Sequence, residues 1–163
     1  MNANADALMK DISPLLAKLR DKTVRKRRDA ATLLGKSGNP SAIHALGEAL
    51  SDPHAGVRAD SILALGRLGD AAAVPWLLSV IGDPDPEIRA GVISALGRIR
   101  DPRSIEALIS CLADTDDAVR IGAAEVLGKL GDPRALTPLA RLGTDPFAEV
   151  RDAAEAAIRR IRK

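Results

Sequence analysis

The chain has 163 residues, enough to bury a sizeable core, and no run approaches the apolar length of a membrane span. Its 46% hydrophobic and 28% charged residues are ordinary for a globular protein, but Trp76 and Phe147 are the only aromatics, so the interior must be aliphatic. A net charge of +2 excludes no partner class by itself, while a lone cysteine, Cys111, excludes an intramolecular disulfide and gives no reason to invoke an oxidising compartment.

The opening MNANADALMK has no basic segment followed by an apolar run, so no secretory signal is expected and the chain reads as cytoplasmic. Residues 1–7 are expected to be disordered. Residues 8–21 read as an N-terminal cap helix with Ile12, Leu15, Leu16 and Leu19 on one face. A basic stretch follows: Arg20, Lys22, Arg25, Lys26, Arg27 and Arg28. Lys+Arg minus Asp+Glu is 9−4 = +5 over residues 1–39, 10−15 = −5 over 40–145 and 5−3 = +2 over 146–163.

From there the chain repeats. Arg27, Arg58, Arg89, Arg120 and Arg151 are each 31 residues apart, and Gly35, Gly66, Gly97 and Gly128 keep the same step. So do Asp52, Asp83, Asp114 and Asp145, and the turn column Asn39, Asp70, Asp101 and Asp132. Several independent columns agreeing on one period define repeats at 22–52, 53–83, 84–114 and 115–145, followed by a C-terminal cap helix over 146–163.

Each repeat reads as two helices. Val57, Ser61, Ala64, Leu65 and Leu68 form one helical stripe, repeated by Ile88, Val92, Ala95, Leu96 and Ile99. Val74, Leu77, Leu78 and Ile81 form the stripe of a second helix, repeated by Ile105, Leu108, Ile109 and Leu112. Glycine ends the first helix in a left-handed turn, and the following Asp caps the second. The turn glycine column reads Gly38, Gly69, Arg100, Gly131, which predicts positive φ at Arg100 or a different turn there. The recurring glycines inside the first helices predict close helix packing. The recurring arginines predict a ladder with the loop aspartates, since a residue present in every unit serves the fold.

The segments EIRAGVISALGRIRDPRSIEALISCLAD and AVRIGAAEVLGKLGDPRALTPLARLGTD resemble HEAT repeats, in particular the short type of the phycobilin lyases. The likeness runs over residues 10–163 and rests on the V/I-R start, the A-x-x-L-G helix end and the G-D-P turn. It implies an all-α fold: a right-handed α-α superhelix of four full two-helix repeats between half-repeat caps, with the second helices on the concave surface. It specifies function poorly, because one repeat architecture serves many partners. Di-iron hydroxylases of the family carry paired His-Glu motifs, which this chain lacks.

No catalytic constellation is apparent, and His44 and His54 alone make no metal ligand set, so no cofactor or metal is expected. Cys111 reads as a small buried hydrophobe. At about 100° per residue, Trp76 points roughly 150° away from its helix's apolar stripe. Equivalent positions hold Ala45, Ala107 and Pro138, and the adjacent outward row holds Glu48, Ser79, Ser110 and Arg141. These patterns predict an exposed Trp76 as anchor of a binding surface with Ser79, Ser110, Arg103, Arg134 and Arg141, taking a partly acidic protein or peptide. A phycobilin-lyase-type role in handling a tetrapyrrole is a second reading. Nucleic-acid binding through Arg20, Lys22, Arg25, Lys26 and Arg28 is a third. Self-association is compatible with all of them.

Overall fold

The computed structural model of the protein describes residues 11–163. The segment expected to be disordered, residues 1–7, and the start of the 8–21 cap helix lie outside the described residues. The first helices of successive repeats are α2 (Val24–Ser37), α4 (Ala55–Leu68), α6 (Pro86–Ile99), α8 (Asp117–Leu130) and α10 (Ala148–Ile161), each starting 31 residues after the last. The second helices are shorter: α1 (Ser13–Lys18), α3 (Ile43–Glu48), α5 (Val74–Ser79), α7 (Ile105–Cys111) and α9 (Leu136–Arg141). No strand occurs among the described residues.

Local chemistry sets these boundaries. Four first helices end on a residue with positive φ: Gly38 at 66°, Gly69 at 68°, Gly131 at 75° and Arg100 at 58°. The expected strain at Arg100 is therefore present, in a conformation that costs a side-chain-bearing residue about 1 kcal/mol. One residue later the side chains of Asn39, Asp70, Asp101 and Asp132 each accept the N–H two positions on. Each bond opens a 3₁₀ turn that runs into the second helix. At the start of the first helices, His54, Asp85 and Asp116 supply side-chain caps, whereas Phe147 supplies none.

The chain forms two compact units, one ending at Val80 and one running Ile81–Lys163. In the first, α2 packs against α1 and α4, and α3 packs on α4. Its core holds Leu34, Leu46, Leu50, Ile62, Leu65 and Leu77. In the second, α8 lies against α6, α7 and α10, and α9 packs on α10, around Ile93, Leu96, Leu108, Leu127 and Leu139.

The glycine column explains the tight helix spacing. A Cβ on Gly35 would sit 2.6 Å from the Ala64 Cα, and one on Gly128 would sit 2.7 Å from the Ala157 Cα. Backbone meets backbone at both places, so a side chain there would push the helices apart.

The arginine ladder is realised within each unit. Arg27 donates Nε and Nη2 to Asp52, Arg89 grips Asp114 in the same way, and Arg120 grips Asp145. The remaining nitrogen, Nη1, donates backwards to two carbonyls of the preceding loop, for example from Arg120 to Asp114 and Thr115. Each ladder carboxylate also accepts an N–H two residues ahead: His54 for Asp52, Asp116 for Asp114 and Phe147 for Asp145. Planar, bidentate pairing of this kind is what guanidinium and carboxylate do best. The hydrogen bond from Arg89 holds Asp114 below the usual carboxylate range, and the bond from Arg120 does the same for Asp145.

Candidate functional site

The outward face of the second helices departs from the repeat at Trp76, where the other units have Ala45, Ala107 and Pro138. Trp76, on α5, does not project freely. Its indole lies on the backbone of Gly47 in α3: a methyl on Gly47 would overlap the ring, with Cε2 and Cε3 both 2.6 Å away. His44, one turn before Gly47, meets the ring edge-on with centroids 5.4 Å apart and an interplanar angle of 78°. Trp76 is consequently half-buried, which corrects the expectation of a largely exposed side chain. The physical reason is a vacancy in the repeat. Gly47 stands where the later repeats have Leu78, Ile109 and Ala140, and the oversized Trp76 fills the missing side chain's space.

Around this pair the first unit presents polar groups. Ser79 is exposed, and its hydroxyl donates back to the Trp76 carbonyl at 2.7 Å. Arg20 donates to Glu48 at 2.9 Å. Between α1 and α3 lies a shallow depression of about 290 Å³ bordered by Leu16, Arg20, Ser41, His44 and Glu48.

In the second unit the expected arginines are exposed, yet two carry acidic partners of their own. Arg103 makes a two-point contact with Asp101, which it holds well below the usual carboxylate range, at about 2. Arg134 makes the same contact with Asp132 and also donates to Glu106 at 2.8 Å. Ser110 is exposed and turns its hydroxyl to the Glu106 carbonyl, and Arg141 is exposed at the end of α9.

The basic stretch is likewise engaged. Beyond Arg20, Lys26 pairs with Asp21, Arg28 with Asp60 at 2.7 Å, and Arg25 lies 3.9 Å from Asp29; Lys22 is exposed. These pairs are solvent-exposed, so the cations keep their access to solvent while part of their charge is offset by neighbouring carboxylates. Cys111 is buried, and burial pushes its thiol up to about 11, far from a reactive thiolate. Among the described residues no His, Cys, Asp and Glu cluster could hold a metal, and no helix is long and apolar enough to cross a membrane.

Stacked two-helix units with a repeated Arg–Asp clamp define an α-solenoid. The profile of HEAT repeats matches residues 12–83 and 74–159, and the chain belongs to that family. No curated protein matches the chain. Among solved structures it is similar to a chain of the complex of CpcE and CpcF of phycocyanin lyase from Nostoc sp., with 26% identity and a TM-score of 0.79 over 93% of this chain. It spans 65% of the length of that neighbour. A designed armadillo repeat protein in complex with the peptide (KR)4 aligns over 98% of this chain and 86% of its own, at 20% identity and a TM-score of 0.67. An archaeal HEAT-like repeats protein from Thermococcus onnurineus aligns over 97% and 74%, at 15% identity and a TM-score of 0.64. These last two likenesses concern the fold alone.

Proposed function

We infer that the chain acts as a repeat scaffold that binds a partner protein or peptide on the face of its second helices, by recognition and not by catalysis. Trp76 carries this reading. Its ring is held rigid by Gly47 and His44 while part of its area stays open to solvent beside the exposed Ser79. A pre-organised aromatic loses little freedom on binding, and such residues serve as interface anchors. One outward column runs Glu48, Ser79, Ser110 and Arg141, a change of chemistry from repeat to repeat that the fold does not dictate. The likeness to a chain of a two-protein lyase complex supports protein partners in general. An acidic partner group would have to compete with Asp101, Asp132 and Glu106 for Arg103 and Arg134, which leaves Arg141 the more available contact. The test is affinity capture with wild type and Trp76→Ala side by side, with circular dichroism confirming that each is helical. Partner binding should weaken at least about thirtyfold, and equal capture by a folded variant would refute the reading.

A second reading rests on that same 26% identity and TM-score of 0.79: a phycobilin-lyase-type subunit that handles an open-chain tetrapyrrole. A saturable change in bilin absorbance on mixing would favour it over the scaffold.

A further inference from the structure

The first helices do not all begin alike. In the column that caps them, His54, Asp85 and Asp116 accept a backbone N–H, whereas Thr23 and Phe147 make no capping bond. Glu87, Asp117 and Glu149 then place an acid in the first turn of α6, α8 and α10, where the positive end of the helix dipole favours it. The first turn of α2 holds no acid. It carries Arg25 and Lys26 behind the exposed Lys22, cations at the helix end that disfavours them. Lys26 is answered by Asp21, but the Arg25 side chain is 90% exposed and lies 3.9 Å from Asp29. Helix formation alone would favour the opposite charge there.

The same edge of the repeat is therefore positive in the first unit and negative in the second. Because α8 packs on both α6 and α10, the acids Asp85, Glu87, Asp116, Asp117 and Glu149 follow one another along neighbouring helix starts. Among the described residues none of them enters a salt bridge. Phe147 belongs to this edge and is 49% exposed, with the Arg120 guanidinium carbon 5.8 Å from its ring centroid. The first unit offers a matching hollow. Between the starts of α2 and α4 lies a depression of about 560 Å³ bordered by Val24, Arg25, Arg28 and His54. Its two carboxylates, Asp29 and Asp60, already face Arg25 and Arg28.

We propose that the basic edge of the first unit docks onto the acidic edge of the second unit in another copy of this chain, with Phe147 seated in the depression between α2 and α4. Charge complementarity selects the occupant, because the chain carries both halves of the contact. The two helix starts that lack a capping bond are the two that meet. The charges supply attraction and register, and the ring supplies apolar area at the centre. None of these residues belongs to the second helices, so the contact leaves the Trp76 face free for a different partner.

Sedimentation velocity of the 163-residue chain over a concentration series tests the contact. The wild type should self-associate at low salt, and at least about tenfold more weakly in molar salt, which screens exposed charges. Lys22→Glu with Arg25→Glu should weaken association at least about tenfold, and so should Asp117→Lys with Glu149→Lys. An equimolar mixture of these two variants should associate as the wild type does, because each reversed edge then meets an edge of opposite sign. Phe147→Asn restores a polar cap, so it should keep or raise the thermal midpoint while weakening association at least about tenfold. Trp76→Ala should leave association unchanged, which separates this contact from the binding face of the second helices. A monomer at every concentration, unchanged association in either reversed variant, or a mixture no stronger than its components would overturn the proposal. A loss of association in Trp76→Ala would overturn it too, by placing the contact on the other face. If Asp117→Lys with Glu149→Lys fails to fold, Phe147→Asn and the Lys22 and Arg25 variant decide, since both improve a helix start.

Discussion

Adding one methyl group at Gly47 should unseat Trp76. In Gly47→Ala the new Cβ would overlap the indole Cδ2 and lie 2.6 Å from Cε2 and Cε3, so the ring must lift or rotate off α3. Overpacking of a well-fitted contact costs about 1–3 kcal/mol, set against roughly 1 kcal/mol gained from Gly→Ala in a helix. The net expectation in wild type is a loss of up to about 2 kcal/mol. With Trp76→Ala already present, the three atoms nearest the methyl are gone, and the same substitution should stabilise by up to about 1 kcal/mol. The coupling between the two positions is therefore about 1–3 kcal/mol, inside the range that double-mutant cycles resolve for contacting residues. Urea unfolding of the four proteins, followed by helical circular dichroism, measures it. Tryptophan fluorescence supplies an independent readout, because emission of the sole Trp should shift to the red in Gly47→Ala as the ring enters water. Equal effects of Gly47→Ala in both backgrounds would refute the packing argument.

Three further outcomes follow from single residues. Arg100→Gly relieves a left-handed backbone at φ 58° and should raise stability by about 1 kcal/mol, whereas a lower thermal midpoint would show that the side chain matters more than the strain. Ser61→Ala removes a fully buried hydroxyl with no hydrogen-bond partner, at a column held elsewhere by Ala30, Val92, Ala123 and Ala154; it should stabilise by about 1 kcal/mol in urea titrations, and a loss would reveal a hidden partner. Asp114 and Asp145 have depressed folded-state values, so their stabilisation is complete above the ordinary carboxylate value of about 4 and is lost as pH falls through the lower folded values. The urea midpoint should accordingly drop as pH falls below about 4, and less steeply in Asp114→Asn; an unchanged slope would remove the ladder from the account of acid unfolding.

Much of this was legible in the residues themselves. Column spacing of 31 residues predicts helix starts that recur at Val24, Ala55, Pro86, Asp117 and Ala148, and the arginine and aspartate columns predict their own pairing. Arg100 shows through because its turn position is otherwise glycine. Trp76 was harder, because helical periodicity gives direction within one helix and says nothing about a vacancy in the next repeat. A signal existed: Gly47 and Trp76 both depart from their columns in adjacent repeats, one by losing a side chain and the other by enlarging it. Ile62 and Ile93 escaped for a related reason. They lie beside the apolar stripe, not in it, and are buried because first helices have neighbours along their flanks as well as beneath them. Arg103 and Arg134 looked available in sequence because a contact with an aspartate two residues back leaves no periodic trace.

Departures from a repeat are informative according to whether something inside the molecule compensates for them. Gly47 and Trp76 compensate each other. Lys26 replaces the apolar residue found at Val57, Ile88, Val119 and Val150, and its ammonium is answered by Asp21. Such departures are closed within the fold, and reverting one member alone should cost stability. Phe147 is different in kind. It gives up a helix cap to expose a ring. Selection for folding alone would favour a polar cap at 147, since the column already supplies three that work. The Arg120 guanidinium, 5.8 Å from the ring centroid, offsets part of that choice, and the area of Phe147 that stays exposed is what the described residues leave uncovered.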